Sequence, residues 1–395
     1  MRKLLLIAAI IPLLGAAGWW YFREKPLPDY GPAYREYAYV SNGKSNTVSV
    51  IDLRTFELAR TIPVGAGPAA IAANFQKNEI YVVNSDSNNV SIIDAEKNAV
   101  VATIGVHGQP LSVDLSRDGR RAYVANSGSS NVSVIDLERR TVIGNVRVGS
   151  APAKAKVSPD GTTVLVSNRG DDSVSVIDAR FLRVRATLSV CRQPEDVAIL
   201  PDSSKAFVTC SGSSQVASIA LAQEQSGEDA RDRVLALIDV GRTPVSLSLK
   251  PDGGELAVCD FDADSISFIE TGTDEVGSSA LVGEHPARAL VTRDNSRLYA
   301  TNFGSNTLAV YDIDAGKRIA SIEAGSRPEG LALSQDERYV LVLDTQAGAV
   351  TVIQRRNPRK LEPTEYSLLT MIPVGMQPDG IVVKAFTVGE AIRKQ

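Results

Sequence analysis

From Tyr37 onward, short stretches of the chain alternate apolar and polar residues at a period of two, the pattern of half-buried β-strands. One unit shows the pattern fully. Leu111 to Leu115 predicts a first strand, a, and Arg117, Asp118 and Gly119 a turn; Arg121 to Asn126 predicts strand b, Asn131 to Asp136 strand c, and Thr141 to Val148 strand d. The a-to-b turn returns as Ser158-Pro159-Asp160-Gly161, Leu200-Pro201-Asp202-Ser203 and Lys250-Pro251-Asp252-Gly253. Proline presets φ there, aspartate bonds the local backbone and glycine supplies positive φ, so these aspartates are expected to serve the turn.

The unit repeats. A pattern of Val, Gly, two variable residues and Pro places prolines at Pro68, Pro110, Pro152, Pro194, Pro244, Pro286, Pro328 and Pro378, at spacings of 42, 42, 42, 50, 42, 42 and 50 residues. A second landmark keeps the same register, from Tyr39-Val40-Ser41-Asn42 and Tyr81-Val82-Val83-Asn84 to the drifted Phe207-Val208-Thr209-Cys210 and Ala257-Val258-Cys259-Asp260. This period is that of propeller blades, each of which cannot bury both faces alone and so stacks around an axis. The first unit, Tyr37 to Val64, has strands b, c and d but no a. Asp379 to Ala385 has the character of strand a with nothing after it. Pairing the two completes a blade and protects two open edges. The expected fold is therefore all-β, an eight-bladed propeller of four-stranded antiparallel blades closed by its N- and C-terminal strands. A seven-bladed ring, the fallback, leaves four strands without a home.

The two longer spacings come from polar insertions at Gln223 to Asp232 and Arg355 to Tyr366, both in c-to-d connections and read as exposed loops. Ahead of the repeats, Arg2 and Lys3 precede an uninterrupted apolar run from Leu4 to Phe22, long enough for a signal peptide or a membrane anchor. Gly15, Ala16 and Ala17 offer a small-residue cleavage site, whereas Trp19, Trp20, Tyr21 and Phe22 resemble an interfacial anchor. The expected organisation is a signal or anchor over 1–25, a linker over 26–36, the propeller over 37–385 and a tail over 386–395. The location that follows is periplasmic or extracellular, with a membrane tether if the run is kept. The formal charge of −4 becomes −7 without residues 1–25, so no global positive field draws nucleic acid.

The landmarks at residues 39–42, 81–84 and 123–126 resemble the YVTN-type repeats of YncE-like and cell-surface propellers, over about residues 37 to 385. The resemblance implies an extracytoplasmic propeller used for binding or scaffolding, and many members have seven blades. More distantly, the repeat is similar to eight-bladed heme d1 domains and nitrite-reductase maturation propellers. No Cys-x-x-Cys-His segment occurs, so covalent c-type heme is not indicated and no cofactor is assigned.

The d-to-a loops, which hold the repeated Pro, and the b-to-c loops, which follow the repeated Asn, lie at the same end of every blade. That arrangement gathers Lys154, Arg169, Arg192, Arg242, His285, Arg288 and Arg327 on one rim with Phe261 and Phe303. Such a rim suits an anionic ligand, an acidic peptide or a glycan; Glu195, Asp196, Glu329 and Asp379, near the same loops, would neutralise it. The two histidines, His107 and His285, belong to loops on opposite sides of an eight-bladed ring and make an incomplete metal set. The repeated Asp52, Asp94, Asp136 and Asp178 read as scaffold, not as paired acids for catalysis. Cys191 and Cys210 fall at one rim of one blade, where an oxidising compartment would permit a disulfide, and Cys259 would stay a buried thiol.

The reading that collects these features is a binding or scaffold propeller that recognises an envelope protein, a polymer or a small anionic ligand. A cofactor-binding or maturation protein of tetrapyrrole type, or a lactonase-type hydrolase using the central funnel, is the alternative.

Overall fold

The computed structural model describes residues 30–222, 231–356 and 366–389. The chain divides into two compact units, Met1–Tyr34 and Arg35–Gln395. The second is the propeller. The apolar run Leu4 to Phe22 lies outside the described residues, as do the hearts of both insertions and the end of the tail. Among the described residues no helix is long and apolar enough to cross a membrane.

Eight four-stranded antiparallel sheets form the ring, which removes the seven-bladed alternative. Seven blades are continuous in sequence and are numbered 1 to 7 from Pro68. Blade 8 joins Pro378–Thr387 to Tyr34–Asn42, Thr47–Asp52 and Glu57–Pro63. Its inner strand runs two residues past the expected end at Ala385, and the added Phe386 is buried beside Tyr39. In blade 2, strands b and c occupy Arg121–Asn126 and Asn131–Asp136, as the alternation predicts. Strand a begins one residue early, at Pro110, and strand d ends at Arg147.

Burial follows each strand's distance from the axis. Strands b and c are covered on both faces by neighbouring blades: Glu79–Asn84 and Asn89–Asp94 bury nearly every residue. Strand d lies outermost and leaves most of its residues to solvent, as in Glu57–Pro63. The core is thus a set of packets between blades. One contains Tyr39, Val48 and Val50 of blade 8 with Ile80, Val82 and Ile93 of blade 1. Full burial of each such Val or Ile contributes about 1.5–3 kcal/mol. The repeated tyrosines Tyr39, Tyr81, Tyr123 and Tyr299 are fully buried. Tyr39 finds a partner for its hydroxyl across the interface, donating to Asn98 Oδ1 at 2.7 Å.

The recurring aspartates hold turns. Asp118 accepts from Ser116 Oγ and the Arg120 N–H. Asp52, Asp94, Asp136 and Asp178 accept from the N–H two residues on, at 2.8–2.9 Å. The eight a strands touch their neighbours in a closed circle and so line the axis.

Candidate functional site at the axial mouth

Each a strand opens with the repeated proline, and the first rungs of its ladder are irregular: the register shifts between Pro152 and Lys154, and likewise between Pro286 and Arg288. A bulge of this kind re-aims a side chain. The third residue of the strand then forms a ring of eight: Ala70, Ser112, Lys154, Asp196, Ser246, Arg288, Gly330 and Gly380. Seven of these eight line a cavity of about 470 Å³ to which all eight blades contribute; Ser246 is the exception.

The ring is lopsided. Blades 3, 4 and 6 supply Lys154, Asp196 and Arg288, while blades 7, 8 and 1 supply Gly330, Gly380 and Ala70, beside Ile71 and Ile381. Lys154 Nζ lies 3.5 Å from Asp196 Oδ1, and an Arg288 guanidinium nitrogen lies 3.7 Å from Asp196 Oδ2. Burial alone would raise the Asp196 pKa. The two cations and the N–H donors of Leu247 and Val197 outweigh burial and hold the carboxyl below its usual range. Those N–H groups bond the carboxylate at 3.1 and 3.0 Å. Asp196 is therefore fixed by the backbone, and both cations stand just beyond hydrogen-bond reach of it. Two positive charges against one negative leave this triad with a surplus of one positive charge facing the cavity.

Three hydroxyls set the backbone under the charged residues. Ser167 accepts from the Lys154 N–H at 3.1 Å, Thr209 from that of Asp196 at 2.9 Å, and Thr301 from that of Arg288 at 3.2 Å. Two of them also donate to the following blade, Ser167 to Glu195 O at 2.6 Å and Thr301 to Glu329 O at 3.2 Å. Each is the third residue of its Tyr-Val-x-Asn landmark. Blades 1, 2 and 7 carry Val83, Ala125 and Leu343 there instead, and no charged third residue. Blade 8 has a hydroxyl there too, Ser41, beside Gly380, so that position read together with the third residue of strand a is the signal that would have found these supports.

The structure separates the candidate rim residues into groups. Lys154, Arg169 and Arg288 line the cavity, and Arg169 pairs with Glu195 at 3.2 Å. Arg242 is taken up by its own rim, bonding Asp262 O through Nε and Nη2 at 3.2 and 2.7 Å. Phe261, His285 and Phe303 form an aromatic cluster beside the mouth, with ring centroids 4.7 and 5.9 Å from Phe261. The Arg327 guanidinium stands 5.3 Å over Phe303. His285 and Arg327 precede their prolines and hold φ of 51° and 52°. That strained backbone is fixed by Asp264 Oδ1 and Asn306 Oδ1, which accept from their N–H groups at 2.9 Å. Arg192 is exposed on the corresponding loop of blade 4, outside the cavity. Neither histidine lines the cavity; His107 pairs with Asn131 Nδ2 at 2.7 Å. Among the described residues no group of His, Cys, Asp or Glu is arranged to hold a metal.

At the same end of each blade, the d-to-a loop meets the last residue of strand b, and Cys191 and Cys210 are joined there in a disulfide with a Cα–Cα distance of 5.5 Å. Cys259 is free and buried, and burial pushes its thiol up to about 12. In six other blades the two positions hold Gly with Asn or Asp, and in blade 2 His107 with Asn126. A Cβ on Gly149 would come within 2.6 Å of Asn168, one on Gly241 within 2.5 Å of Asp260 and one on Gly375 within 2.6 Å of Asn42.

These features define a class: an eight-bladed, disulfide-bearing propeller with a charged axial mouth. The model of the YNCE-like beta-propeller family matches residues 23–157 and 151–365, and the chain belongs to that family. Among curated proteins none matches the chain. Solved structures show the same fold. Kuenenia stuttgartiensis hydrazine synthase matches at 22% identity and a TM-score of 0.56, over 71% of this chain and 92% of that one. Dihydro-heme d1 dehydrogenase NirN in complex with DHE matches at 14% identity and a TM-score of 0.68, over 88% of this chain and 74% of that one. A functionally unknown protein from Desulfotomaculum acetoxidans DSM 771 matches at 15% identity and a TM-score of 0.60, over 74% and 97%.

Proposed function

We propose that this protein is an extracytoplasmic binding propeller that takes a small anionic organic ligand at its axial mouth. The observation that carries the reading is the triad of Lys154, Asp196 and Arg288. Blades 3 and 6 bring two cations to one carboxylate that the backbone already satisfies, so their remaining donors are left for a further anion. The apolar and small residues across the cavity give the rest of such a ligand a surface to bury. Export is supported by the Cys191–Cys210 disulfide, which suits an oxidising compartment, and by the N-terminal apolar run of the sequence, read as a signal or tether.

Native mass spectrometry of the detergent-solubilised protein from its own cells tests this. The expected result is a small bound mass that the Lys154→Ala, Arg288→Ala double variant loses. A bare chain, or one that carries only a protein partner, removes the small-ligand reading and favours recognition through the rim. The likeness to dihydro-heme d1 dehydrogenase in complex with DHE makes a cofactor-sized mass one informative outcome.

A further inference from the structure

The far side of the cavity adds a second requirement to the anion-binding reading, on which this inference rests. Asp379 lines the cavity from blade 8. Glu329 holds the same position in blade 7, directly after the repeated proline. In blade 4 that position is Glu195, and it is paired with Arg169. Asp379 and Glu329 have no ion-pair partner among the described residues. Asp379 accepts a long bond of 3.4 Å from Gln377 Nε2. Burial raises the pKa of both carboxyls, and the charge of Asp379 raises that of Glu329 further; Lys44 offsets the first, and Arg288 and Arg327 the second, only in part. A half-buried carboxylate with no cation in contact is a cost to the fold that an arriving cation removes.

Around Asp379 the wall is small or aliphatic, at Ala70, Ile71, Gly330 and Gly380, and Lys154 stands three blades away from it. A sphere of the cavity's volume is about 10 Å across, room for two charged ends separated by a short chain of methylenes.

We infer that the ligand of this cavity is zwitterionic: its anionic end faces Lys154 and Arg288, its protonated amine pairs with Asp379 beside Glu329, and an aliphatic spacer lies along Ile71. The opposed charges select against molecules that carry only one of the two groups, because each then leaves one buried charge unanswered.

Calorimetric titration of the full chain with 6-aminohexanoate, hexanoate and hexylamine tests this. The zwitterion is expected to bind at least about tenfold more tightly than either single-charge analogue, a difference of about 1.4 kcal/mol. Asp379→Asn is expected to bring 6-aminohexanoate down to the affinity of hexanoate. Asp379→Lys is expected to turn the preference toward the dicarboxylate adipate, a gain that a misfolded variant cannot imitate. Equal affinity of wild type for 6-aminohexanoate and hexanoate, or indifference to both Asp379 variants, overturns the zwitterion. If Lys154→Ala with Arg288→Ala still abolishes hexanoate binding in that case, the anion reading stands alone. Failure of all three probes to bind, or hexanoate binding that survives the double alanine variant, overturns the anion reading and this inference together.

Discussion

Blades 3 and 4 close the same joint by different chemistry. In blade 3 the d-to-a loop passes Asn168 so closely that only glycine fits at 149. The Asn168 amide donates instead to Ser173 Oγ and Ser175 Oγ, both at 2.9 Å. In blade 4 both partners are cysteine, and a covalent bond spans the gap that would otherwise be a clash. The positions are equivalent: 19 residues separate the partners in either blade. The disulfide is therefore a substitution for a Gly–Asn contact and not an addition to it. Blades 5 and 7 show a third version, in which Asp260 and Asp344 replace the asparagine. Each accepts from one hydroxyl at 2.6 Å, Ser267 and Thr351 respectively, and each keeps its Oδ1 buried without a hydrogen-bond partner.

The largest effect is expected from breaking the covalent joint. Replacing Cys191 and Cys210 with serine should cost about 3 kcal/mol, the loop-closure value for a ring of this length, read as a drop in the urea midpoint. Cys191→Gly with Cys210→Asn should recover most of that loss. If it recovers nothing, the two joints are not equivalent.

The acidic joints come next, and they carry a pH dependence. Burial raises the Asp260 and Asp344 carboxyls from 3.8 to about 6 in the folded protein. A folded-state value above the unfolded one means that the protonated form is favoured by folding. The stability each group contributes is then fully present below about pH 4 and lost as pH rises through 6. Asp260→Asn and Asp344→Asn should each stabilise the protein by up to about 3 kcal/mol at pH 8 and by little at pH 4. Urea titrations at the two pH values check this; equal effects at both would exclude ionisation as the cause.

Gly149→Ala should cost about 1 to 2 kcal/mol as Asn168 is pushed aside, whereas the same substitution at half-buried Gly161 meets no neighbouring atom and pays only for its φ of 74°. The smallest effect belongs to the mouth. Arg169→Ala removes an exposed ion pair with Glu195 and should shift stability by less than about 0.5 kcal/mol. A larger loss would make the mouth part of the frame and blur the division between joints that hold and side chains that bind.

The frame was legible because it is written eight times. Repeated prolines and Tyr-Val-x-Asn landmarks survive drift at any one blade, and the missing strand of the first unit matched the orphan at the end. The disulfide was legible as a proximity of two cysteines at one rim. Its meaning as a replaced Gly–Asn contact was not, since nothing in one repeat says that residues 19 apart touch. The candidate site was legible only in part. A rim populated by charge does not reveal which side chains reach the axis, and this is set by the bulge after each proline. Lys154 and Arg288 follow that bulge and enter the cavity, whereas Arg242 and Arg327 precede the proline and fold back onto the loops. Asp196 and Glu195 do neutralise part of the mouth. The surplus charge and the unpaired Asp379 opposite depend on distances that spacing cannot supply.

Blade 8 imposes an order of events on the chain's synthesis. Ser41 Oγ donates to Gly380 O across 339 positions of sequence. Until Pro378–Thr387 has been made, Tyr34–Asn42 lacks its inner neighbour and the a strands of blades 1 and 7 lack the one that stands between them. A chain cut short before that strand would not be a smaller propeller. It would be a ring whose last blade has three strands and leaves the inner edge of Tyr34–Asn42 bare, ready to pair with a strand of its own copies.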